Sequence, residues 1–288
     1  MNQASTFLRR FGLKSNIKRS RWCSCWVSKN DCGLWEVRLF KVDEYLVEPL
    51  NSTTGFPSFR VVTKDQSLHN KRDRIHPMTI AVFGASGRTG KLVCELGVQA
   101  GHQIRAIVRD PQKVAMIEGI EIVQADVFNQ SQVESALKNV DAVINCLGSN
   151  DLGKTNLQET TIQIIIKAMQ VCNVKRIVIL GASGALHDPM CNETLGRKIF
   201  FVIIRNTLLK NPMNDSGAQQ KIIEGSDLDY TVVHPPRLLD IPAKGAFRTD
   251  PNGLPRGGRE LGRADLAAYM LSLLEDPSSI RTGPYIAY

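Results

Sequence analysis

A strand, a glycine-rich turn and the start of a helix follow one another directly between residues 79 and 90. Residues 79–83 form a short apolar run, which is the pattern of a buried parallel strand. The run leads into Gly84-Ala85-Ser86-Gly87-Arg88-Thr89-Gly90, after which apolar residues recur at helical spacing. Backbone N–H groups and the positive end of a helix dipole meet at such a turn, so it predicts a binding site for a pyrophosphate.

Each glycine of the turn has its own mechanical role. Gly84 permits a tight exit from the strand, Gly87 lets the backbone approach a phosphate, and Gly90 lets the helix pack closely on the sheet. A turn without any ligand is the alternative, but the next strand ends on schedule, about 20 residues later, as the dinucleotide-binding pattern requires. Three polar residues of the turn can add hydrogen bonds or positive charge to the phosphates: Ser86, Arg88 and Thr89.

Arg109 follows the second strand, residues 103–108. A carboxylate at this place binds the ribose 2′-hydroxyl of NAD, whereas a cation suits the 2′-phosphate of NADP. The planar guanidinium matches a phosphate and can stack on adenine, so we predict NADP as the cofactor. A solvated loop charge is the alternative, and Asp110 leaves dual use of NAD open.

Strands and helices alternate from Met78 onward. This alternation predicts an α/β fold, a Rossmann-type doubly wound parallel sheet of strand order 3-2-1-4-5-6, as a single domain over 78–288. Residues 245–258 are rich in glycine, proline and charge, and we expect a loop or hairpin over the site. The predicted strands are 79–83, 103–108, 120–124, 141–146, 175–181, 229–234 and 284–287, and the predicted helices lie near 88–100, 111–117, 130–138, 155–172, 213–225 and 263–275.

Ligands of such sheets bind beyond the carboxyl ends of the strands. Asp126 and Val127 follow the third strand, where the adenine of a dinucleotide rests. The fourth strand ends in Asn145-Cys146-Leu147-Gly148, and Gly148 permits close backbone approach to the cofactor. Asp126, Val127 and Gly148 are therefore candidate cofactor contacts.

The candidate catalytic residues follow the last two strands. Ser183 comes after the fifth strand, which places it near the nicotinamide, and His234 and Arg237 come after the sixth. Arg237 could bind an anionic substrate or a cofactor phosphate. His234 could donate a proton, although a structural hydrogen-bonding role is the more frequent one for such a histidine. His187 is a weaker candidate.

The net charge of +8 is concentrated before the predicted domain. Residues 1–77 hold 14 Lys or Arg and 7 Asp or Glu, and residues 78–288 hold 22 and 21. We therefore expect no nucleic-acid partner. No apolar run reaches the ~20 residues of a membrane helix, so no membrane partner is expected either. Cys23, Cys25 and Cys32 cluster without a nearby fourth ligand, and no metal site is predicted.

Residues 1–77 form a basic extension without sustained periodicity, apart from a possible strand at 36–40. One interpretation is that Met78 is the natural start and that the extension is disordered or an upstream artefact. The other is a transit peptide, because the first 30 residues contain seven Lys or Arg and no acid. We favour the first, which predicts a cytoplasmic protein; the second predicts an organellar one.

Several motifs from Met78 onward, in the expected order, resemble the atypical short-chain dehydrogenase/reductases, in particular the NAD(P)H-binding branch of NmrA-like proteins and of biliverdin reductase B-like flavin reductases. The matching stretches are AVFGASGRTG, AIVRDPQK, QADVFN, DAVINCLGSNDL, KRIVILGASGALHDP, LDYTVVHPPRL and GRADLAAYML. By this resemblance, the cofactor-binding positions are Gly84, Ser86, Gly87, Arg88, Thr89, Arg109, Asp126, Leu147, Gly148 and Pro235.

The chain departs from this family at the substrate site. The Tyr-x-x-x-Lys pair of the main branch is absent, since no tyrosine has Lys four residues later. The flavin reductases have serine where Ala182 aligns and histidine where Arg237 stands. The resemblance implies an NADPH-dependent oxidoreductase that reduces a planar conjugated acceptor such as a flavin, quinone or tetrapyrrole. The alternative is a non-catalytic NADP(H) sensor or assembly factor. In either case we expect a small-molecule ligand and a monomer or weak homo-oligomer.

Overall fold

The computed structural model describes residues 77–114, 118–148, 153, 155–186 and 195–288, together with four strands nearer the N-terminus. The chain divides into two units, Met1–Ile75 and His76–Tyr288. In the first unit two antiparallel pairs are present: β1 (Ser24–Lys29) with β2 (Trp35–Phe40), and β3 (Tyr45–Leu50) with β4 (Ser58–Thr63). The strand expected at 36–40 is confirmed as β2. The predicted disorder or leader function of residues 1–77 falls largely outside the described residues and stays a prediction.

The second unit is built on a six-stranded parallel sheet. Its strands lie in the order β7-β6-β5-β8-β9-β10, which is the predicted order 3-2-1-4-5-6. Short apolar runs form these strands because helices cover both faces of the sheet. The strands are β5 (Thr79–Phe83), β6 (Gln103–Val108), β7 (Ile120–Gln124), β8 (Ala142–Asn145), β9 (Arg176–Leu180) and β10 (Asp229–Val233).

Helices pack on both faces of the sheet. Side chains alternate along each strand, so that Ile80 and Val82 of β5 join one apolar core and Ala81 and Phe83 join the other. Helices α1 and α6 cover the first core, and α2, α3 and α5 the second. The helices are α1 (Arg88–Gln99), α2 (Gln130–Ala136), α3 (Leu157–Val171), α4 (Leu195–Asn206), α5 (Lys210–Glu224) and α6 (Arg263–Leu273).

Four short strands follow β10. Strand β11 (Arg237–Leu239) pairs in parallel with β13 (Glu260–Gly262), and β12 (Arg248–Asp250) pairs antiparallel with β14 (Tyr285–Ala287). Residues 245–258 are loop apart from β12, as one alternative of the prediction has it. The other alternative, a hairpin within this segment, is wrong, because β12 pairs with β14 near the end of the chain.

One predicted helix is wrong, and one helix was not predicted. At 111–117 the structure has only a 3-10 turn, Pro111–Lys113, which the Asp110 carboxylate caps and which extended backbone at Val114 ends; residues 115–117 are outside the described residues. Helix α4 was not predicted, because apolar residues occupy its half-buried side, at Phe201 and Ile204, as well as its exposed side. No helix in the described part of the chain is long and apolar enough to traverse a bilayer.

Candidate functional site

The glycine turn has the tight geometry that a phosphate cradle requires. Gly84 adopts a positive φ of 74°, and a Cβ there would lie 2.8 Å from the carbonyl carbon and oxygen of Cys146. A Cβ on Gly90 would overlap the carbonyl oxygen of Gly84. Gly87 donates its N–H to that same oxygen at 2.9 Å and is the N-cap of α1. A helix that begins on a glycine has no side chain over its first N–H groups, so these can face an anion.

The polar residues of this turn differ in exposure. Ser86 and Arg88 are exposed, whereas Thr89 is buried. The Arg88 guanidinium forms an ion pair with Asp240, with 3.0 Å between Nη1 and Oδ2. Arg263 binds the other oxygen of this carboxylate at 2.7 Å. Arg88 therefore lies beside the predicted phosphate position, but an acidic residue already neutralises it.

A cleft of about 520 Å³ opens where the second and third strands end, and four polar residues line it. Arg109 and Asp126 were predicted here, and Gln124 and Gln132 were missed because glutamine carries no motif signal. Gln124 donates from Nε2 to the Arg109 carbonyl at 3.2 Å, and the Asp126 N–H donates to Oε1 of Gln132 at 2.8 Å. In the described part of the chain, Arg109 has no ion-pair partner. Val127 is buried in the core, so only its backbone can meet a ligand.

The end of the fourth strand closes against the glycine turn. The Cys146 N–H donates to the carbonyl of Phe83 at 3.0 Å, and Oδ1 of the buried Asn145 accepts from the Leu147 N–H at 3.0 Å. Gly148 is exposed, and a Cβ there would lie 3.8 Å from Nε2 of Gln158. Gly148 and Leu147 thus lie directly after the fourth strand, and their contact with a cofactor stays a prediction.

Two buried polar atoms beside this strand end have no hydrogen-bond partner among the described residues: Nδ2 of Asn145 and Oε1 of Gln158. A buried donor or acceptor without a partner costs free energy of the order of 1–3 kcal/mol. Neither residue was a predicted site residue.

His234 is held inside the protein. It is 2% exposed, stacks on Tyr285 at 4.7 Å between ring centroids, and has Nε2 3.0 Å from Oε1 of Gln220. Its Nδ1 lies 3.3 Å from the carbonyl oxygen of Gly283. Protein atoms thus surround both ring nitrogens. The structure favours the structural role of His234 over that of a proton donor.

The other two catalytic candidates have separate surroundings. Ser183 is 7% exposed, and its N–H donates to the carbonyl of Pro235 at 3.2 Å. The Arg237 side chain is 76% exposed and lies 3.4 Å from Oε1 of Glu260. No hydrogen bond or ion pair described in the structure joins Ser183, His234 and Arg237 into one group. His187 lies outside the described residues.

The thiols near the turn are unsuited to nucleophilic catalysis. Burial, with a smaller contribution from Glu95, raises the pKa of Cys94 to about 12. Burial raises the pKa of Cys146 as well. Both groups are therefore protonated at neutral pH. Within the described residues, no three His, Cys, Asp or Glu side chains form a potential metal site, and the side chains of the predicted cysteine cluster at 23–32 are not described.

These features together fit a dinucleotide. At Gly84 and Gly90, beside the predicted pyrophosphate position, the turn has room only for glycine. The start of α1 supplies free N–H groups. The cleft beside Arg109 lies where adenosine binds in such folds.

Residues 84–277 match the model of a protein family described as NAD(P)H-binding. The sugar epimerase YhfK of Bacillus subtilis (strain 168), itself named as uncharacterized, is 27% identical over 212 residues, which cover 70% of this chain and 90% of YhfK. The isoflavone reductase homolog P3 of Arabidopsis thaliana is 28% identical over 224 residues, 72% of this chain and 68% of that protein.

Solved structures share the fold. The oxidoreductase ylbE of Lactococcus lactis has a TM-score of 0.62 at 22% identity, covering 73% of this chain and 90% of ylbE. A short-chain dehydrogenase/reductase of Veillonella parvula in complex with NADP has a TM-score of 0.59 at 17% identity, with 74% and 95% covered. ChuY, an anaerobillin reductase of Escherichia coli O157:H7, has a TM-score of 0.59 at 19% identity, with 73% and 96% covered.

Proposed function

Because this chain belongs to the NAD(P)H-binding family, we propose that it is an NADPH-dependent reductase that transfers hydride to a planar conjugated acceptor. The observation that carries the choice of NADPH is the uncommitted guanidinium of Arg109 at the cleft. Arg88 and Arg237 each lie beside an acid, whereas Arg109 has no ion-pair partner among the described residues. A free guanidinium suits a 2′-phosphate, which can accept two parallel hydrogen bonds from it.

The choice of acceptor follows from the surroundings of the candidate proton donors. His234 is enclosed by protein atoms, Ser183 is buried, and no Tyr-x-x-x-Lys pair is present. A bound nicotinamide supplies the hydride itself. A flavin, quinone or tetrapyrrole can take hydride at an atom of its conjugated system while water supplies the proton, so the protein needs only to bind and orient it. The name of ChuY, an anaerobillin reductase, supports an acceptor of this kind.

The test is NADPH oxidation by the purified protein with FMN, a soluble quinone and biliverdin, each compared with a reaction without protein. We expect turnover above background with at least one acceptor, and slower turnover with NADH. Background rates with every acceptor would contradict the proposal.

A second candidate is a sensor that binds NADP(H) without catalysing hydride transfer. The enclosed His234 and the buried Ser183 favour it, because neither side chain is placed to contact a substrate. The sensor predicts tight cofactor binding, measured by quenching of protein fluorescence, with no oxidation of any acceptor. The reductase predicts binding and turnover together.

A further inference from the structure

Helix α4 exposes apolar side chains along one side. Leu195, Ile199, Val202 and Ile203 are 74%, 54%, 51% and 57% exposed, and Leu208, just past the helix, is 60% exposed. The first four follow the spacing i, i+4, i+7, i+8, so they form one stripe on the helix. We call these five residues the α4 stripe. Contiguous exposed apolar surface of this kind marks an interaction site.

Hydrogen bonds fix the orientation of α4. The Arg205 guanidinium donates from Nε to the Gly184 carbonyl at 2.6 Å and from Nη2 to the Ala185 carbonyl at 3.2 Å. These carbonyls belong to the loop after β9. Because Arg205 ties the helix to this loop, the side that carries the stripe is held outward in the folded protein.

The charge within residues 195–210, which contain the α4 stripe, is of one sign. Residues 195–210 contain four Lys or Arg and no Asp or Glu, although residues 78–288 as a whole are near neutral. Lys198 lies beside the stripe on α4 and is half-buried, and Lys210 is exposed just beyond Leu208. In the described part of the chain, neither lysine has an ion-pair partner.

A second copy of the chain matches this surface poorly. In a two-fold contact through α4, the two copies of residues 195–210 would bring only basic residues and no acid to the interface, and like charges across an interface weaken association. An anionic lipid surface matches both properties. Apolar side chains of an interfacial helix enter the boundary between headgroups and acyl chains, and lysines bind the lipid phosphates.

We propose that the α4 stripe binds the surface of an anionic lipid bilayer, with Lys198 and Lys210 at the level of the phosphates. The absence of long apolar runs led us to expect no membrane partner, but that expectation concerned segments that cross a bilayer. A helix lying in the interface needs only one apolar side. The inference does not depend on the proposed reductase activity.

The test is co-sedimentation of the full chain with vesicles of phosphatidylcholine alone and of phosphatidylcholine mixed with phosphatidylglycerol. We expect binding to the mixed vesicles that weakens with salt, and little binding to phosphatidylcholine alone. Ile199→Ser combined with Ile203→Ser should weaken binding about tenfold or more. Lys198→Gln and Lys210→Gln should each weaken it about fivefold.

The matched control combines Phe128→Ser and Val171→Ser, which remove apolar side chains that are 47% and 64% exposed away from α4. This variant should bind like the unchanged chain, and circular dichroism checks that all variants fold. The control matters because residues 1–77 carry a basic surplus that can attract anionic vesicles on its own. Undiminished binding by the Ile199/Ile203 variant would therefore overturn the proposal.

Light scattering after gel filtration tests the competing occupant. If the unchanged chain is a dimer, if Ile199→Ser with Ile203→Ser makes it a monomer, and if neither binds vesicles, a second copy covers the α4 stripe and the proposal is wrong. A monomer that binds the mixed vesicles through the stripe supports it.

Discussion

At the scale of single residues, Arg88 lies in the glycine turn and forms an ion pair with the carboxylate of Asp240. The pair is exposed on both sides, with side-chain exposures of 63% and 57%. An exposed ion pair contributes only about 0–1 kcal/mol, so a bound phosphate can replace the carboxylate as the partner of Arg88. We therefore expect Asp240 to lower the affinity for the cofactor without blocking its binding.

The substitution Asp240→Asn should strengthen NADPH binding by about threefold to fivefold, because it removes a negative charge that competes for Arg88. Titration calorimetry measures the change. Glu121→Gln is the control, since Glu121 pairs with Arg105 and is half exposed. Weaker binding by Asp240→Asn would show instead that the carboxylate positions Arg88 for the cofactor.

Arg109→Ala should weaken NADPH binding by about 10- to 100-fold and leave NADH binding within about threefold, because only NADPH carries the 2′-phosphate. Fluorescence titration with both cofactors gives the comparison. Arg259→Ala, which removes another exposed cation, should affect neither. Equal losses for NADPH and NADH would refute the assignment of Arg109 to the 2′-phosphate.

Site residues at strand ends could be predicted from the sequence where the residue type, such as arginine or aspartate, indicates a specific ligand group. Arg109 and Asp126 were placed at one cleft from the sequence because parallel strands end at the same edge of the sheet. Gln124, Gln132, Asn145 and Gln158 were missed, since amide residues occur everywhere and only burial or a neighbour makes them notable. His234 was ambiguous because its burial depends on residues far away in sequence, at 220 and 283.

At the scale of elements, the packing of α1 on β5 depends on Gly90. Gly90→Ala should destabilise the protein by about 1–3 kcal/mol and weaken cofactor binding, because its Cβ would overlap the Gly84 carbonyl oxygen and push α1 away from the turn. Urea unfolding and NADPH titration measure the two effects. Gly196→Ala in α4 is the control: apart from the backbone of its own helix and its chain neighbours, no atom lies within 4 Å of its Cβ position, so the change should be neutral or slightly stabilising. Full stability of Gly90→Ala would show that the turn can relax.

The sheet strands and most helices of the second unit were predictable because each has a simple pattern and a clear boundary. A strand buried on both faces reads as an apolar run, as β5 and β9 do. Helix α4 lacks such a simple pattern, because apolar residues occur on both its inner and its outer side. The segment at 111–117 failed for another reason: Asp110 and Pro111 fit a tight 3-10 turn as well as a helix start.

At the scale of the whole molecule, Asp265 ties α6 to two distant segments. Its carboxylate accepts hydrogen bonds from the Tyr288 hydroxyl and from the N–H groups of Lys244 and Gly245. Burial raises the pKa of Asp265, but these hydrogen bonds and the charge of Lys244 outweigh it, and the net pKa lies below the usual value of 3.8. The stabilisation is therefore present above about pH 4 and is lost as the pH falls through the lower folded-state pKa.

Asp265→Asn should lower the free energy of unfolding at neutral pH by about 1–3 kcal/mol and flatten its decline in acid. Urea unfolding at several pH values between neutral and strongly acidic measures both. The exposed Asp227, changed to Asn, is the control and should leave the profile unchanged. An equally steep acid decline in Asp265→Asn would assign the pH dependence to other carboxylates.

A chain that starts at Met78 should fold and bind NADPH as the full chain does. The unit His76–Tyr288 contains the sheet, both apolar cores and every described residue of the site. Thermal unfolding followed by circular dichroism, together with cofactor titration, compares the two chains. Loss of folding would show that residues 1–77 contribute to the core.

The predicted strand order of the sheet and the predicted family are both confirmed.

The glycine turn also has a genetic consequence. Every amino acid other than glycine carries a Cβ, so any missense change at codon 84 or 90 introduces an atom into space that backbone already fills. No conservative alternative exists at these two positions, in contrast to Arg109, where lysine would retain the charge. In a library of random coding changes selected for NADPH binding, codons 84 and 90 should therefore be as depleted of variants as the codon of Arg109.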